Sequence, residues 1–290
     1  MSAPILCLSS MPDKIDFYQN YWNKKPFVVK KYVPSTIMKK MISADELAGL
    51  SLEDDIRSRI VIRGKDKEVW KCNHGPFHEN DFAKLGEENW SLLVQKVDRY
   101  HEKTGQLLSI FEFAPIWLLD DIMGSYSTTG GGVGPHLDSY HVFLVQGMGV
   151  RKWKIAREPL QNADYIENLD LKILKDDFDG DMFEVSVGDV IYIPPMYPHS
   201  GTTIKESMTY SIGFLGPSLS EMMVEYGHYI EEHEAINSRY TANGLDTSSA
   251  GPLISAKEVD NFRASIINTI KSEDFDVWLK SYFTRRDDDD

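Results

Sequence analysis

Residues 119–214 alternate short apolar runs with Gly, Pro and Asp, and this alternation is the feature that most constrains the fold. Short strands broken at close intervals by turn-forming residues are typical of an all-β barrel or sandwich. In the run 188–199 (GDVIYIPPMYPH), Gly188 and Pro194 stand where such residues fix turns between strands. The sequence therefore predicts a β core for this part of the chain.

A candidate metal site lies within this β-rich segment. His136 and Asp138 lie two positions apart, and His199 ends the run 188–199. Alternate residues of a strand point to one face, so His136 and Asp138 can bind one ion from one side. Two imidazoles and one carboxylate are the ligands of non-haem Fe(II) oxygenases, and they leave other positions of the ion open. The alternative is a set of ordinary barrel residues or a structural metal, although structural sites usually close their coordination with Cys or His.

Residues 142–155 predict a β-hairpin with its turn at residues 147–149 (GMG). On the returning strand Arg151 shares a face with Trp153 and Ile155, which places a cation inside the barrel. A buried cation without a partner is very unfavourable. An anionic ligand would resolve this conflict, because a guanidinium binds a carboxylate through two parallel hydrogen bonds. A carboxylate of the protein itself is the alternative partner.

The composition indicates a globular protein with an acidic surface. The chain has 290 residues with 31 basic and 45 acidic side chains, which gives a net charge of −14. This charge disfavours nucleic acid as a direct partner and favours a basic protein, although acidity can also serve solubility alone. We expect a cytoplasmic protein without membrane association, because there is no long apolar run, no secretory signal and no disulfide framework.

The segments on either side of the β-rich part are mixed or helical. Helical spacing is found in residues 16–24, 221–234, 255–270 and 275–283. Strand patterns are found in residues 26–30, 58–62 and 90–95. Ser43 and Glu46 predict a capping box at the start of a short helix, and residues 242–251 predict a surface loop. The C-terminal helices carry no catalytic constellation, and their apolar residues suit packing on the barrel or a subunit interface.

Six motifs together carry a resemblance to a known family. They are residues 45–50 (DELAGL), 74–77 (HGPF), 89–95 (NWSLLVQ), 130–138 (GGGVGPHLD), 151–153 (RKW) and 191–199 (IYIPPMYPH). Over nearly the whole chain this sequence resembles the bacterial ribosomal oxygenases. Gly188, Pro194 and His199 also fit the pattern Gly-x5-Pro-x4-His of cupin barrels.

The resemblance implies a fold that is mainly β with α: a double-stranded β-helix (the JmjC/cupin jelly roll) followed by a helical dimerisation region. It further implies a dioxygenase that depends on Fe(II) and 2-oxoglutarate and uses O2. Its expected substrate is an arginine of a basic protein of the large ribosomal subunit, hydroxylated at C3. Two other functions stay open: hydroxylation of a histidine in another ribosomal protein, and a metal-binding cupin module without catalysis.

The family's site residues carry over onto matching positions. The expected iron ligands are His136, Asp138 and His199. Arg151 matches the residue that binds the distal carboxylate of 2-oxoglutarate. Ser125 stands where the family has a hydroxyl near that co-substrate, and Ser127 is a weaker candidate. The remaining histidines match no ligand position: His74, His78, His101, His141, His228 and His233.

We expect two regions in the chain. Residues 1–216 are expected to form the catalytic domain with an N-terminal α/β elaboration, and residues 217–290 the helical region of a homodimer. Family members carry a winged-helix-like domain after the helical region, whereas this sequence stops after Arg286 and four aspartates. The expectation is therefore either a shorter member or a truncated chain.

Overall fold

The computed structural model describes residues 3–64, 69–233, 236–241 and 253–285. The chain divides into two compact units, residues 1–215 and 216–290. The loop predicted at residues 242–251 lies outside the described residues. The assignment of these regions to catalysis and to dimerisation stays a prediction.

One sheet dominates the first unit. Its strands among the described residues are β1 (Leu6–Leu8), β2 (Phe27–Val29), β3 (Ser58–Arg63), β4 (Trp70–His74), β5 (Trp90–Val94), β6 (Leu119–Ser127), β7 (His141–Ala156), β8 (Gly180–Ser186), β9 (Val190–Ile193) and β10 (His199–Phe214). Their order is β1-β2-β9-β7-β10-β6-β5-β3-β4, and β8 pairs with β7 beside this path. Because this one sheet forms the core of the first unit and helices accompany it, the predicted mainly β fold with helices is confirmed.

β7 is one continuous strand of 16 residues, so the predicted hairpin over residues 142–155 is wrong. The chain does not turn back at residues 147–149, because β10 pairs with both halves of β7 along its own 16 residues. The pairing register shifts opposite this segment. Gly149 has a φ of +67°, and a Cβ there would lie 1.7 Å from the carbonyl oxygen of Glu206. The glycines therefore accommodate a bulged region within a long strand rather than a turn.

Short helices connect the strands of the first unit. The α-helices are α1 (Lys14–Asp16), α2 (Ser35–Met38), α3 (Ala44–Leu50), α4 (Glu79–Phe82), α5 (Val97–Tyr100) and α6 (Glu102–Gly105). Residues Phe17–Tyr21 form a π-helix, and Gln106–Phe111 and Ile116–Leu118 form 3-10 helices. The capping box that precedes α3 is confirmed, since Ser43 and Glu46 each accept a hydrogen bond from the other's backbone amide.

The sheet is buried on both faces around β7. Phe143 and Val145 belong to a large aromatic-rich cluster in which Phe17 and Tyr192 also pack. Their neighbours on the opposite face, such as Val142, belong to a second cluster on the inside of the barrel. This alternation is what a strand between two apolar layers requires. The inner face is the one that carries the cavity described below.

The second unit is helical. Its helices among the described residues are α7 (Leu219–Glu232), α8 (Ala256–Ile270) and α9 (Glu273–Arg285). Tyr226 packs its ring against Phe275 and Trp278, at centroid distances of 4.9 and 4.8 Å, and its hydroxyl donates to the carbonyl of Thr269. These contacts join all three helices. None of the helices in the described part of the chain combines the length and apolar character needed to cross a membrane.

Candidate metal centre

His136 and Asp138 lie in an extended segment between β6 and β7 rather than within a strand. His136 forms an isolated antiparallel bridge with His199, the first residue of β10. The amide of His136 donates to the carbonyl of His199 at 3.0 Å, and the reverse bond measures 2.8 Å. The carbonyl of Asp138 accepts a hydrogen bond from the amide of Met196 at 2.7 Å. The backbone therefore brings together residues that are distant in the sequence.

The three side chains converge on one point. One potential ligand atom from each of His136, Asp138 and His199 lies within 4.8 Å of the others. Nε2 of His199 is 3.5 Å from Oδ2 of Asp138, and Nε2 of His136 is 4.0 Å from Oδ1. Two atoms that each bind a metal at about 2.1 Å lie at most about 4.2 Å apart. The two distances between the imidazoles and the Asp138 carboxylate are therefore within reach of one shared ion.

Hydrogen bonds to the backbone fix the tautomers of both imidazoles. Nδ1 of His136 lies 3.0 Å from the carbonyl of Gly134, and Nδ1 of His199 lies 2.9 Å from that of Tyr197. Since a carbonyl can only accept, each Nδ1 is the protonated nitrogen and each Nε2 keeps a free lone pair. Burial, with a smaller contribution from nearby His136, lowers the pKa of His199 to about 4, and Asp138 partly opposes this shift. His199 is thus neutral at physiological pH, as metal binding requires.

A cavity of about 330 Å³ opens beside these side chains. All the site residues expected from the sequence lie on its wall, namely Ser125, Ser127, His136, Asp138, Arg151 and His199. Apolar side chains such as Val142 and Leu144 also line the wall. The enclosed volume is comparable to that of small-molecule sites.

Arg151 is a buried cation on the wall of this cavity. Its side chain is 4% exposed, as the alternation along β7 predicted, although β7 is not half of a hairpin. No carboxylate forms an ion pair with Arg151 within the described part of the chain, and its Nε has no hydrogen-bond partner there. Its Nη1 donates to Oγ1 of Thr209 at 3.2 Å. Burial lowers the pKa of Arg151 to about 10, which leaves it charged at neutral pH.

The two serines of β6 have different partners. Oγ of Ser125 donates to the carbonyl of Thr209 at 3.2 Å, and the hydroxyl of this same threonine accepts from Arg151. Oγ of Ser127 donates to Oγ of Ser91 at 2.7 Å, one strand away. Ser125 is therefore linked through Thr209 to the guanidinium, whereas Ser127 is occupied by its neighbour on β5.

Several residues of this region were not found by sequence reasoning. Tyr140 lies on the cavity wall two residues after Asp138. Its ring and the carboxylate of Asp121 both approach Gly213, whose Cβ would lie 3.6 Å from Cε2 of Tyr140 and 3.8 Å from Oδ1 of Asp121. Arg59 of β3 and Thr209 of β10 also line the cavity. Arg59 and Thr209 belong to distant strands and Tyr140 directly precedes β7, so only the folded sheet reveals that they share one wall.

Comparison with known proteins places this site in a family. The JmjC domain model matches residues 106–222, which include every predicted site residue. The chain is 37% identical over 272 residues to the Escherichia coli protein named ribosomal protein uL16 3-hydroxylase. This alignment covers 93% of this chain and 71% of that protein. This chain belongs to the JmjC ribosomal oxygenases.

Solved structures of ribosomal oxygenases agree with this membership. The X-ray structure of E. coli ycfD matches with a TM-score of 0.81 and 35% identity, over 94% of this chain and 72% of that chain. A second match is the structure of the ribosomal oxygenase YcfD from E. coli in complex with cobalt and 2-oxoglutarate. Its TM-score is 0.79 and its identity 34%, over 95% of this chain and 72% of that chain. The fold is thus the JmjC/cupin fold that the sequence predicted.

Proposed function

We propose that this ribosomal oxygenase depends on Fe(II) and 2-oxoglutarate and hydroxylates C3 of an arginine in the large-subunit ribosomal protein uL16. The convergence of His136, Asp138 and His199 on one point beside a cavity is the observation that carries the proposal. The name of the E. coli relative supports the substrate, and the complex of YcfD with cobalt and 2-oxoglutarate supports the cofactors.

The three converging side chains are the proposed iron ligands. Two neutral imidazoles with free Nε2 atoms and one carboxylate suit a divalent iron ion, and they leave its remaining positions for small molecules. Cysteine does not contribute a ligand at this point, which disfavours a closed structural site. When bound, Fe(II) together with 2-oxoglutarate and O2 supplies the chemistry that inserts one oxygen atom into a C–H bond, with succinate and CO2 as by-products.

Arg151 is the proposed partner of the far carboxylate of 2-oxoglutarate. The guanidinium is buried, charged and free of any carboxylate from the described residues, so an incoming dicarboxylate would compensate it. Thr209 orients Arg151 through the hydrogen bond to Nη1, and Ser125 in turn contacts Thr209. We propose Ser125 as the hydroxyl next to the co-substrate. Ser127 is less suited because Ser91 already holds its hydroxyl.

Tyr140 and Asp121 are proposed to receive the substrate's guanidinium. Both lie against Gly213 on the side of the barrel that carries Asp138, and Asp121 adds negative charge there. Burial raises the pKa of Asp121 to about 6, so its carboxylate is ionised at neutral pH. A half-enclosed carboxylate can pair with a guanidinium through charge-assisted hydrogen bonds.

We also propose a homodimer that acts in the cytoplasm, where ribosomal proteins are made. The helical unit exposes large apolar side chains on α7 and α8, including Val224, Val259, Phe262 and Ile266. Exposed apolar residues on amphipathic helices suit a subunit interface. The acidic chain favours a basic protein over direct contact with nucleic acid.

Mass spectrometry of uL16 tests the proposed reaction. The purified chain is incubated with Fe(II), 2-oxoglutarate and uL16, and succinate is measured in parallel. We expect one added oxygen on one arginine and one succinate for each. The Asp138→Ala variant should give neither product. An added oxygen on a histidine would support the related histidine oxygenase. Tightly bound zinc without 2-oxoglutarate turnover would support a binding module instead.

A further inference from the structure

The inner face of the barrel continues beyond the metal cavity onto the N-terminal strands. Residues directly paired in a sheet project to the same face. Leu93 of β5 pairs with Ser125 of β6 on one side and with Arg59 of β3 on the other, and Arg59 pairs with His74 of β4. Ser125, Leu93, Arg59 and His74 thus form one row across four strands. This row leads from the proposed co-substrate site to the edge of the sheet.

A second cavity lies over the outer end of this row. Its volume is about 300 Å³, and it shares Arg59, Leu93 and Gln95 with the wall of the metal cavity. Arg57 and His74 also line it. The two cavities therefore adjoin, and Arg59 lies on their common wall. We call the second cavity the outer pocket.

The outer pocket has the opposite charge balance to the rest of the protein. Its basic or imidazole side chains are Arg57, Arg59 and His74, against Asp54 as its one acidic lining residue, whereas the whole chain has 31 basic and 45 acidic residues. His74 also lies 3.6 Å from Asp170, which lines the metal cavity. A local cluster of cations on an acidic protein is a site where an anion is attracted.

Arg59 and Arg151 differ in what they require. The side chain of Arg59 is half-buried and forms no hydrogen bond or ion pair with any residue that the structure describes. Water can solvate a half-buried guanidinium, so Arg59 does not need a resident anion as the fully buried Arg151 does. It can still gain charge-assisted hydrogen bonds when a carboxylate arrives. This behaviour fits a ligand that binds and leaves with each substrate molecule.

We propose that the outer pocket binds a carboxylate of the substrate polypeptide, with Arg59 as the main contact and Arg57 and His74 beside it. The carboxylate belongs to an aspartate or glutamate near the target residue, and its binding sets which residue enters the metal cavity. This inference rests on the proposed protein substrate. The overall negative charge attracts a basic polypeptide, and the outer pocket selects the register in which it binds.

A charge-matching experiment with uL16 tests this inference. Each Asp and Glu of uL16 is replaced in turn by Asn or Gln, and hydroxylation is measured with the wild-type enzyme and with Arg59→Met. Methionine keeps the apolar stem of Arg59 and removes its charge. We expect one replacement in uL16 to raise the KM for the protein about tenfold, as the loss of one charge-assisted contact does. Arg59→Met should raise the KM for uL16 by a similar factor. When Arg59→Met is combined with the uL16 replacement, the two effects on KM should not add.

A charge reversal gives the sharpest form of the test. Arg59→Glu should lose activity on wild-type uL16 and recover at least part of it when the identified acidic residue of uL16 is replaced by lysine. Lys152→Met is the matched control, because Lys152 is an exposed cation on the outer face of β7. An unchanged KM for uL16 in Arg59→Met, or additive effects of the two replacements, would overturn the inference.

The readouts separate this inference from the proposed function. Binding of 2-oxoglutarate to the Mn2+-loaded protein is measured by calorimetry for the wild type and Arg59→Met. We expect equal affinities, since Arg151 and not Arg59 contacts the co-substrate. If the wild type hydroxylates uL16 but Arg59→Met behaves like Lys152→Met, the proposed role of the outer pocket is wrong, whereas the proposed function is supported. If the wild type does not hydroxylate uL16 at all, the proposed function fails and this inference fails with it.

Discussion

His136 and His199 hydrogen-bond to each other through their backbones in both directions, while their imidazole rings lie 4.2 Å apart. The proposed metal site is therefore held by main-chain pairing as well as by side-chain packing. A substitution that removes one imidazole leaves the backbone bridge in place. Loss of metal and loss of fold are consequently separable at this position.

Replacing His136 by Ala should abolish succinate formation, with at least a hundredfold loss, because two remaining donors bind divalent metals far more weakly than three. Metal content by elemental analysis should fall in the same variant. Its melting temperature without metal should stay close to that of the metal-free wild type. Undiminished turnover in His136→Ala would refute the ligand assignment.

Replacing Arg151 by Met should raise the KM for 2-oxoglutarate between about tenfold and a hundredfold, which corresponds to the loss of hydrogen bonds to a charged group. The affinity for metal should not change, because Arg151 contacts Thr209 and not the imidazoles or Asp138. Arg151→Lys keeps the charge without the forked geometry and should fall between wild type and Arg151→Met. An unchanged KM would mean that the buried cation serves another ligand.

Acid should destabilise the metal-free protein between about pH 6.5 and pH 4. Burial lowers the pKa of both His141 and His199 from 6.5 to about 4, so the unfolded chain takes up protons in this range before the folded protein does. Above pH 6.5 both imidazoles are neutral in the folded and the unfolded chain, so their burial carries no protonation penalty. As the pH falls from 6.5 toward 4, only the unfolded chain gains these protons, and the free energy of unfolding decreases. Each imidazole contributes at most about 3 kcal/mol, and His141 less because it is only partly buried. Urea unfolding with a chelator at pH 7.5 and pH 5 measures the difference.

A His141→Gln variant provides the control for this pH effect. It removes one of the two titrating groups, together with the stack of His141 on Trp22 at 3.6 Å. Its stability at pH 7.5 should be lower, but the drop between pH 7.5 and pH 5 should be smaller than in the wild type. An equal drop in both proteins would show that His141 does not titrate in this range.

Replacing Gly149 by Ala should destabilise the first unit by several kcal/mol, because its φ is +67° and the added Cβ would meet the carbonyl oxygens of Glu206 and Lys205 at 1.7 and 2.6 Å. Gly49→Ala is the matched control, since nothing lies within 4 Å of its Cβ position in α3. That change should stabilise the protein by up to about 1 kcal/mol through helix propensity. Thermal unfolding compares the two, and equal melting temperatures would contradict the bulge.

Replacing Phe262 by Glu should dissociate the proposed homodimer, because the side chain is 40% exposed on α8 and a charge there cannot be buried in an apolar interface. Light scattering after size-exclusion chromatography gives the molecular mass directly. Lys257→Glu, on the same helix, changes charge without removing apolar surface and should remain a dimer. A wild type of monomeric mass would disprove the dimer itself.

The sequence was sufficient to predict which three side chains converge, but not which residues line the surrounding cavity. His136, Asp138 and His199 were predicted from spacing and motif, and the structure brings them together. The inward direction of Arg151 followed from strand alternation alone. The hairpin at residues 147–149 was wrong, because a glycine pair permits a bulge as readily as a turn and only the length of β10 decides between them. Tyr140 and Arg59 could not be assigned, since their place on the wall depends on sheet register.

The continuous course of β7 has a consequence for how this oxygenase can be damaged. Arg151 faces the cavity and Lys152 faces outward, so a slip of this strand by a single position would exchange the two. Such a slipped protein could keep the backbone bridge between His136 and His199, but it would turn Lys152, which lacks the forked guanidinium, toward the proposed co-substrate site. Mutations far from the cavity, along β7 or β10, are therefore expected to abolish activity while the three proposed metal ligands stay together.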